Sequence, residues 1–129
     1  MIRNTKQRNA IRRAIREAGR PLSATEVLSS ASLYAPGLGI ATVYRTLRAF
    51  LDEGFAVEVP IPGEPPRYET RDAASRHHHH FHCGNCGRVF DVPGCPRGLD
   101  ELAPPDFTIS GHDLLLYGQC SVCKGQQAS

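Results

Sequence analysis

Two pairs of cysteines constrain the fold of this chain more than any other feature of its sequence. The pairs are Cys83-Gly-Asn-Cys86 and Cys120-Ser-Val-Cys123. Two residues between the cysteines of a pair allow both sulfurs to face one ion, and two such pairs complete a tetrahedral four-thiolate site suited to zinc. The intervening segment, residues 87–119, is unusually long, so a small subdomain must bring the second pair back to the first. Four thiolates leave no open coordination position, which predicts structural zinc.

The fifth cysteine, Cys95, stands outside both pairs, between Gly94 and Pro96. We expect it to be a small buried thiol without a ligand role, because free cysteines are commonly buried. The alternative for Cys95 is a metal ligand or a redox sensor. A redox-active pair is the competing interpretation of each Cys-x-x-Cys motif. No βαβ pattern surrounds either motif, so zinc is the favoured interpretation.

Charge divides the chain into two different halves. Residues 1–54 contain nine Lys and Arg against four Asp and Glu, a net charge of +5, whereas residues 55–129 contain six against nine, a net charge of −3. The basic half favours a polyanionic partner. The sequence has no apolar run long enough to span a bilayer and no secretory signal pattern. We therefore expect a cytoplasmic protein without a membrane partner, in which the cysteines stay reduced.

Hydrophobic spacing in the basic half predicts three helices. A capping box, Ser23-Ala-Thr-Glu26, opens the second helix. In the third helix an apolar stripe faces the core; its members are Val43, Leu47, Phe50 and Leu51. Tyr44, Arg45 and Arg48 are thereby directed to the other side. Such a helix after two supporting helices is typical of a helix-turn-helix that enters the major groove, although three amphipathic helices also occur in proteins that do not bind DNA.

A hairpin is predicted directly after the third helix. Residues 55–59 alternate as a strand, residues 60–66 are rich in turn formers, and residues 67–70 form a return strand. A hairpin in this place is the wing of a winged helix, so the chain is predicted to have an α+β fold. Its predicted parts are a winged-helix DNA-binding domain over residues 1–70, a hinge at residues 71–76 and a metal-binding domain over residues 77–129.

Five of the six histidines are packed into residues 77–82, directly before the first cysteine pair. In a strand the side chains alternate between faces. One face would carry His78, His80 and His82, and the other His77 and His79. Imidazoles two residues apart on a strand can bind one ion. A carboxylate from Glu69 or Asp91 would add a harder ligand, which favours Fe(II), Mn(II), Zn(II) or Co(II).

The order of these motifs resembles the ferric uptake regulator (Fur) family over nearly the whole chain. The motifs that carry the resemblance are Thr5-Lys-Gln-Arg8, Gly39-Ile-Ala-Thr-Val-Tyr-Arg-Thr-Leu47, Arg67-Tyr-Glu69, His77-His-His-His80, Cys83-x-x-Cys-Gly-x-Val-x-Asp91 and Leu116-Tyr-Gly-x-Cys-x-x-Cys123. The resemblance implies an amino-terminal winged helix and an α/β carboxyl-terminal dimerisation domain. It also implies a homodimeric repressor that binds palindromic double-stranded DNA operators when its sensing metal is present. We therefore expect neither an enzyme nor a small organic substrate.

The resemblance also assigns residues to sites. It gives the structural zinc to Cys83, Cys86, Cys120 and Cys123, the regulatory metal to Glu69, His78, His80 and Asp91, and a further site found in some members to His77, His79 and His112. On the DNA-reading helix it selects Tyr44 and Arg45, and the further candidates for DNA contact are Thr42, Arg48 and Arg8.

Two features depart from the family pattern. Members often supply a regulatory histidine just before the second helix, where this chain has Pro21; His82 is a weak candidate for a replacement. The segment before His112 is also short, which leaves the acidic partner of the further site open, with Asp100 and Glu101 as candidates.

The regulatory metal is predicted to be Fe(II) or Mn(II), with Zn(II) as a further candidate. Zinc sensors of the family commonly add a thiolate to this site, whereas position 69 holds a glutamate. Because Glu69 precedes the predicted hinge and the other ligands follow it, a bound metal would fix the hinge and the spacing of two recognition helices. The alternatives are a zinc-uptake or peroxide-responsive regulator of the same family, a metal storage protein and a zinc enzyme. An enzyme is disfavoured because no H-E-x-x-H motif is present.

Overall fold

The chain divides into two compact units, Met1–Arg76 and His77–Ser129, called here the amino-terminal and carboxyl-terminal units. The computed structural model describes residues 2–76 and 78–126. Within these residues, no helix has both the length and the apolar character required to cross a membrane.

The amino-terminal unit consists of helices followed by a hairpin. Its elements are α1 (Ile2–Glu17), α2 (Ala24–Ala31), α3 (Ile40–Glu53), β1 (Ala56–Ile61), β2 (Glu64–Thr70) and α4 (Arg71–Ser75). Strands β1 and β2 are antiparallel. The segment predicted to be a hinge contains the short helix α4. The Thr70 side chain caps this helix by accepting a hydrogen bond from the Ala73 N–H.

The predicted capping box is confirmed at the start of α2. The Ser23 hydroxyl accepts from the Glu26 N–H at 3.2 Å, and the Glu26 carboxylate accepts from the Ser23 N–H at 3.0 Å. The same carboxylate pairs with Arg20 at 2.7 Å. Burial alone would raise the pKa of Glu26, but the hydrogen bonds from Arg20 and Ser23 outweigh it and lower that pKa. The capping box and this ion pair therefore hold the start of α2 against the segment that precedes it, at Arg20 and Ser23.

The predicted apolar stripe of α3 is also confirmed. Val43, Leu47 and Phe50 are fully buried in the core that α3 shares with α1 and α2. The helix ends at Gly54, whose φ of +80° gives the left-handed C-cap that a side chain would strain. Burial of this stripe leaves the opposite side of α3 on the surface.

The hairpin turn is shorter than the sequence predicts. Strand β1 continues through Pro60 to Ile61, and β2 already begins at Glu64, so Pro65 and Pro66 lie in a strand. Proline cannot donate a ladder hydrogen bond and is tolerated on edge strands and at bulges. This two-stranded sheet has edges on both sides, and its register shifts between Val59 and Ile61. The prediction that residues 60–66 form a turn is therefore wrong for Pro60, Pro65 and Pro66, which lie in strands.

The carboxyl-terminal unit is built on a three-stranded sheet of order β4-β3-β5. Its elements are β3 (His78–Cys83), β4 (Val89–Pro93), a 3₁₀ helix (Leu99–Leu102), β5 (Leu115–Gly118) and α5 (Ser121–Gln126). Strand β3 pairs antiparallel with β4 and parallel with β5. The core consists of three buried cysteines against which Phe81 and Phe90 pack. His78 to His82 of the histidine run thus lie in the central strand of this sheet.

Candidate metal centres and DNA-reading helix

The four cysteines of the two motifs converge into a four-cysteine cluster (Cys83, Cys86, Cys120 and Cys123). Their sulfurs all lie within 4.8 Å of one another, and the sulfurs of Cys86 and Cys120 are 3.9 Å apart. A tetrahedral ion with Zn–S bonds of about 2.3 Å separates its sulfurs by about 3.8 Å. The cluster therefore has the size and the donor set of a structural zinc site.

The backbone around this cluster favours thiolates. The N–H groups of Cys86 and Cys120 donate to the Cys83 sulfur at 3.5 and 3.4 Å. These hydrogen bonds lower the pKa of Cys83 to about 5. An N–H bond from Cys123 likewise lowers the pKa of Cys120. A hydrogen bond with Asn85 lowers the pKa of Cys123, but burial and the neighbouring cysteines outweigh it and raise that pKa to about 11. Thiolate is the form that binds zinc, so the backbone prepares Cys83 and Cys120 for a metal.

A second cluster lies on one face of the sheet in the carboxyl-terminal unit. His78 and His80 are two residues apart on β3, and Asp91 of β4 is the direct cross-strand partner of His80. The Nε2 atoms of His78 and His80 lie 3.3 and 3.5 Å from Asp91 Oδ1, and the imidazole centroids are 4.8 Å apart. We call these three residues the carboxylate–histidine cluster. Two imidazoles and a carboxylate form a donor set that suits Fe(II), Mn(II) and Zn(II).

Two other candidates for the regulatory site lie elsewhere on the strands. Glu69 occupies the penultimate position of β2 in the amino-terminal unit, opposite Val57, and its side chain is buried. His82 is also buried and shares the face of His78 and His80, but its imidazole packs edge-on against Tyr117 at 5.9 Å. Among the described residues, no group that could hold a metal includes His82.

A third cluster lies on the opposite face of β3. His79 Nε2 is 3.1 Å from the Cys95 sulfur and 3.1 Å from His112 Nε2, and the Cys95 sulfur is 3.0 Å from His112 Nε2. We call these residues the thiol–histidine cluster. It unites two histidines of the expected further site with the cysteine that was expected to have no ligand role. Their third expected companion, His77, lies outside the described residues.

The expectation that Cys95 is buried is wrong, because its side chain is exposed. Sequence reasoning missed its cluster because Cys95 is separated from His79 by 16 positions and from His112 by 17. One signal was present in the sequence. If the histidine strand pairs antiparallel with Val89–Pro93, the residues that follow Pro93 lie close to His79. Asp100 and Glu101, the expected acidic partners, lie on the 3₁₀ helix and belong to no metal-capable group among the described residues.

The exposed side of α3 carries the residues that were selected as DNA contacts. Tyr44 is about half exposed, and Arg45 and Arg48 are exposed. Arg45 donates to the Thr42 hydroxyl at 3.0 Å, which holds its guanidinium near the start of the helix. Arg48 pairs with Asp52 at 3.8 Å. A phenol and two guanidiniums on one helix face are suited to phosphate and to base edges in the major groove.

Arg8, the remaining DNA candidate, has neighbours within the amino-terminal unit. Its guanidinium forms an ion pair with Glu53 and lies 5.2 Å from the centroid of the Phe50 ring. Arg12 stacks on the same ring at 4.8 Å. These contacts give the arginines of α1 a structural role beside any contact with DNA.

Comparisons with known proteins agree with this arrangement. The model of the ferric uptake regulator family matches residues 1–117. The peroxide-responsive repressor PerR of Staphylococcus epidermidis is 31% identical over 128 residues, which cover 95% of this chain and 82% of that protein. PerR of Staphylococcus saprophyticus is 30% identical over 95% of this chain and 83% of its own length.

Solved structures show the same fold. A zinc-bound manganese uptake regulator matches with a TM-score of 0.73 at 23% identity, over 89% of this chain and 88% of that one. The ferric uptake regulator of Francisella tularensis with iron matches with a TM-score of 0.68 at 24% identity, over 92% of both chains. Fold, motifs and sequence identity therefore agree, and the chain belongs to the ferric uptake regulator family of metal-responsive transcriptional repressors.

Proposed function

We propose that this protein represses transcription by binding operator DNA when Fe(II) or Mn(II) occupies a regulatory site that contains His78, His80 and Asp91. The observation that carries the proposal is the convergence of the carboxylate–histidine cluster on one sheet face. Nitrogen and oxygen donors without a thiolate favour these ions over a thiophilic one. Zn(II) binds the same donors and is the remaining candidate.

The family resemblance adds Glu69 to this ligand set. Its carboxylate would be a second hard donor, and two carboxylates would neutralise the charge of a divalent ion. Because Glu69 precedes residue 76 in the sequence and the other ligands follow it, metal binding would restrict the arrangement of the winged helix. Operator half-sites have a fixed spacing, so such a restriction raises the affinity for DNA by selecting the productive arrangement.

A homodimer is the proposed DNA-binding form. In the carboxyl-terminal unit several large apolar side chains are exposed, among them Leu102, Phe107, Leu116, Tyr117 and Val122. Leu116 and Tyr117 belong to β5, which ends the described sheet on one side. Such apolar surface is typical of protein interfaces, and a second copy would cover it. Two copies of α3 could then read the two halves of a palindrome.

The deciding experiment measures DNA binding as a function of metal. The protein is purified with its zinc, and duplexes are selected from a random-sequence library in the presence of Mn(II). Mobility shifts are then recorded without metal and with Fe(II) under anaerobic conditions, Mn(II) or Zn(II). We expect a shift only with the sensed metal.

Variants link the metal response to the proposed ligands. Asp91→Ala and Glu69→Ala should each raise the metal concentration needed for half-maximal DNA binding at least tenfold. Asp100→Ala removes an exposed carboxylate that belongs to no metal-capable group of the described residues, and it is the matched control. Equal DNA binding with and without metal, or an unchanged response in Asp91→Ala, would contradict the proposal.

Regulation by peroxide is a second candidate, favoured by the identity to peroxide-responsive repressors. Fe(II) reduces hydrogen peroxide readily and Mn(II) does not, so the two ions separate the candidates. A peroxide sensor would lose DNA binding when its Fe(II) form is treated with hydrogen peroxide and would retain it in the Mn(II) form. In a plain metal sensor peroxide would only oxidise the bound Fe(II), so fresh Fe(II) added under anaerobic conditions would restore DNA binding. A peroxide sensor whose ligands are oxidised would stay inactive.

A further inference from the structure

Three arginines form a row along one side of α1. Arg8, Arg12 and Arg16 follow each other at intervals of four residues, so their side chains lie on the same helix face. Four residues of a helix rise by about 6 Å, which is the spacing of the row along the helix axis. We call these three residues the arginine row. All of them belong to the amino-terminal unit.

Two phenyl rings hold the guanidiniums of the arginine row. Arg12 lies over both rings, at 4.8 Å from the centroid of Phe50 and 4.7 Å from that of Phe55. The first arginine of the row lies 5.2 Å from the centroid of Phe50, and the last lies 5.6 Å from that of Phe55. The two rings pack edge to face at 5.0 Å, and Phe50 is fully buried. The row is therefore anchored on the core of its unit.

The charges of the arginine row are only partly compensated. Arg8 pairs with Glu53, the last residue of α3. Among the side chains that the structure describes, Arg12 and Arg16 form no ion pair with a carboxylate. Arg16 is exposed and Arg12 is half-buried. The row therefore presents two uncompensated cations beside the end of the helix that is proposed to read DNA.

We propose that the arginine row binds the phosphates of DNA irrespective of base sequence and of the regulatory metal. In a helix-turn-helix, helices beside the reading helix contact the phosphate backbone, and such contacts carry no sequence information. Because the row lies within one unit, its geometry does not depend on the hinge that the regulatory metal is proposed to restrict. The inference rests on the proposed binding of DNA and adds a second, metal-independent mode to it.

The stacked rings prepare the row for a phosphate chain. A ring occupies the face of the planar guanidinium, whereas a phosphate accepts hydrogen bonds from the N–H groups at its edge, so both contacts can exist together. An arginine on an open surface loses side-chain entropy when it binds a phosphate. The rings already restrict Arg12 and Arg16, so less of this entropy remains to be lost on binding.

The first experiment measures the affinity for a duplex of scrambled sequence, with the structural zinc retained and no regulatory metal added. Fluorescence anisotropy is recorded at several salt concentrations for the wild type and for the double variant Arg12→Gln, Arg16→Gln. Each phosphate contact adds about one to the slope of the logarithm of the binding constant against the logarithm of the salt concentration. The double variant should therefore flatten this slope by about two, and an unchanged slope would overturn the proposal.

Arg13→Gln is the matched control on the same helix. Arg13 pairs with Glu17 at 2.9 Å, so its charge is already compensated, and it lies over a different ring, that of Tyr34. Its removal should leave the slope nearly unchanged. Equal flattening for each charge removed, in this variant and in the double variant, would show that net charge and not the arginine row governs the binding.

A second double variant, Arg12→Lys with Arg16→Lys, separates charge from packing. It keeps both charges but loses the planar stacking, so damage to the fold would appear in it as well. We expect it to keep the wild-type slope, and flattening equal to that of the glutamine variant would contradict phosphate contacts. Because these measurements use no regulatory metal, their failure is distinct from failure of the proposed metal-dependent binding to an operator.

Discussion

His79 and His80 are neighbours in the sequence, yet their imidazoles join different sets of donors. His80 faces a carboxylate across the strand pair, at 3.5 Å from Asp91, whereas His79 lies 3.1 Å from the sulfur of Cys95. Since the imidazoles are the same, the third donor determines which ions each face favours. We therefore expect any metal preference to depend on the strand face rather than on the histidine run.

Arg45 is the residue of α3 whose removal best tests DNA reading. If it contacts a base, Arg45→Ala should cost about 1–3 kcal/mol of affinity for the selected operator and relax the preference at one position. If it contacts a phosphate, all sequences should bind more weakly, and the slope of the logarithm of the binding constant against the logarithm of the salt concentration should flatten by about one. Fluorescence anisotropy at several salt concentrations measures both quantities.

Arg97→Ala is the control for Arg45→Ala, because it also removes an exposed positive charge, but from the carboxyl-terminal unit. It should change affinity much less than Arg45→Ala. Equal losses in the two variants would mean that net charge, and not the position on α3, governs binding.

At the residue scale, the sequence predicts which residues share a face when their spacing matches the repeat of a helix or a strand. It does not predict neighbours that depend on the path of a loop. His78 and His80 follow from strand alternation, and Val43 and Leu47 follow from helical spacing. Cys95 follows from neither, because its neighbours depend on a glycine turn and a segment that returns from elsewhere. The histidine neighbours of Cys95 therefore could not be predicted from the sequence, in which no second cysteine stands three positions away from it.

The capping box of α2 is the element-scale feature with the most direct energetic consequence. Ser23→Ala removes the side-chain acceptor for the Glu26 N–H and should lower the free energy of unfolding by about 1 kcal/mol. Ser29→Ala, an exposed position inside the same helix, is the control and should have little effect. Chemical denaturation at neutral pH measures the difference; equal values for both variants would contradict a capping role.

The same box predicts a dependence on pH. Because the folded pKa of Glu26 lies below its ordinary value of 4.5, its stabilisation is complete above that value and disappears as the pH falls through the folded pKa. Glu26→Gln should therefore be less stable than the wild type at neutral pH, and the difference should shrink in acid. Denaturation at neutral pH and below the folded pKa tests this, and a constant difference would refute it.

Elements with a strong local signal were predicted well, and those with mixed signals were not. Helix α3 combines a periodic stripe with a glycine stop, and both appear in the structure. The prolines of β2 signalled a turn, but an edge strand tolerates them. Helix α4 has almost no apolar periodicity, and its cap at Thr70 was the only local sign of it.

At the scale of the whole molecule, we expect the dependence on zinc to be confined to the carboxyl-terminal unit. The core of the carboxyl-terminal unit consists of three cysteines of the four-cysteine cluster, Cys83, Cys120 and Cys123, with Phe81 and Phe90 packed against them. Structural zinc contributes roughly 10–16 kcal/mol in small model domains, which exceeds the stability of many domains of this size. The amino-terminal unit has its own apolar core on α1, α2 and α3.

Removal of zinc should therefore affect the two units unequally. In Cys83→Ser, or after treatment with a strong chelator, amide protons of β3, β4 and β5 should lose most of their protection, whereas those of α2 and α3 should keep it. Hydrogen exchange followed by mass spectrometry resolves these segments. Cys95→Ser is the control and should leave the strands protected; equal loss in α2 and α3 would show that the units do not unfold separately.

Strand β3 places two imidazoles on either side of a single peptide group. An ion held by His80 would restrict the backbone torsions that also orient His79, so part of the ordering entropy for the second face would already have been lost. Thermodynamic linkage makes such an effect reciprocal: if an ion on one face changes the affinity for an ion on the other, both affinities change by the same factor. Through this one strand, the occupancy of each face would then depend on the concentration of the metal that binds the other face.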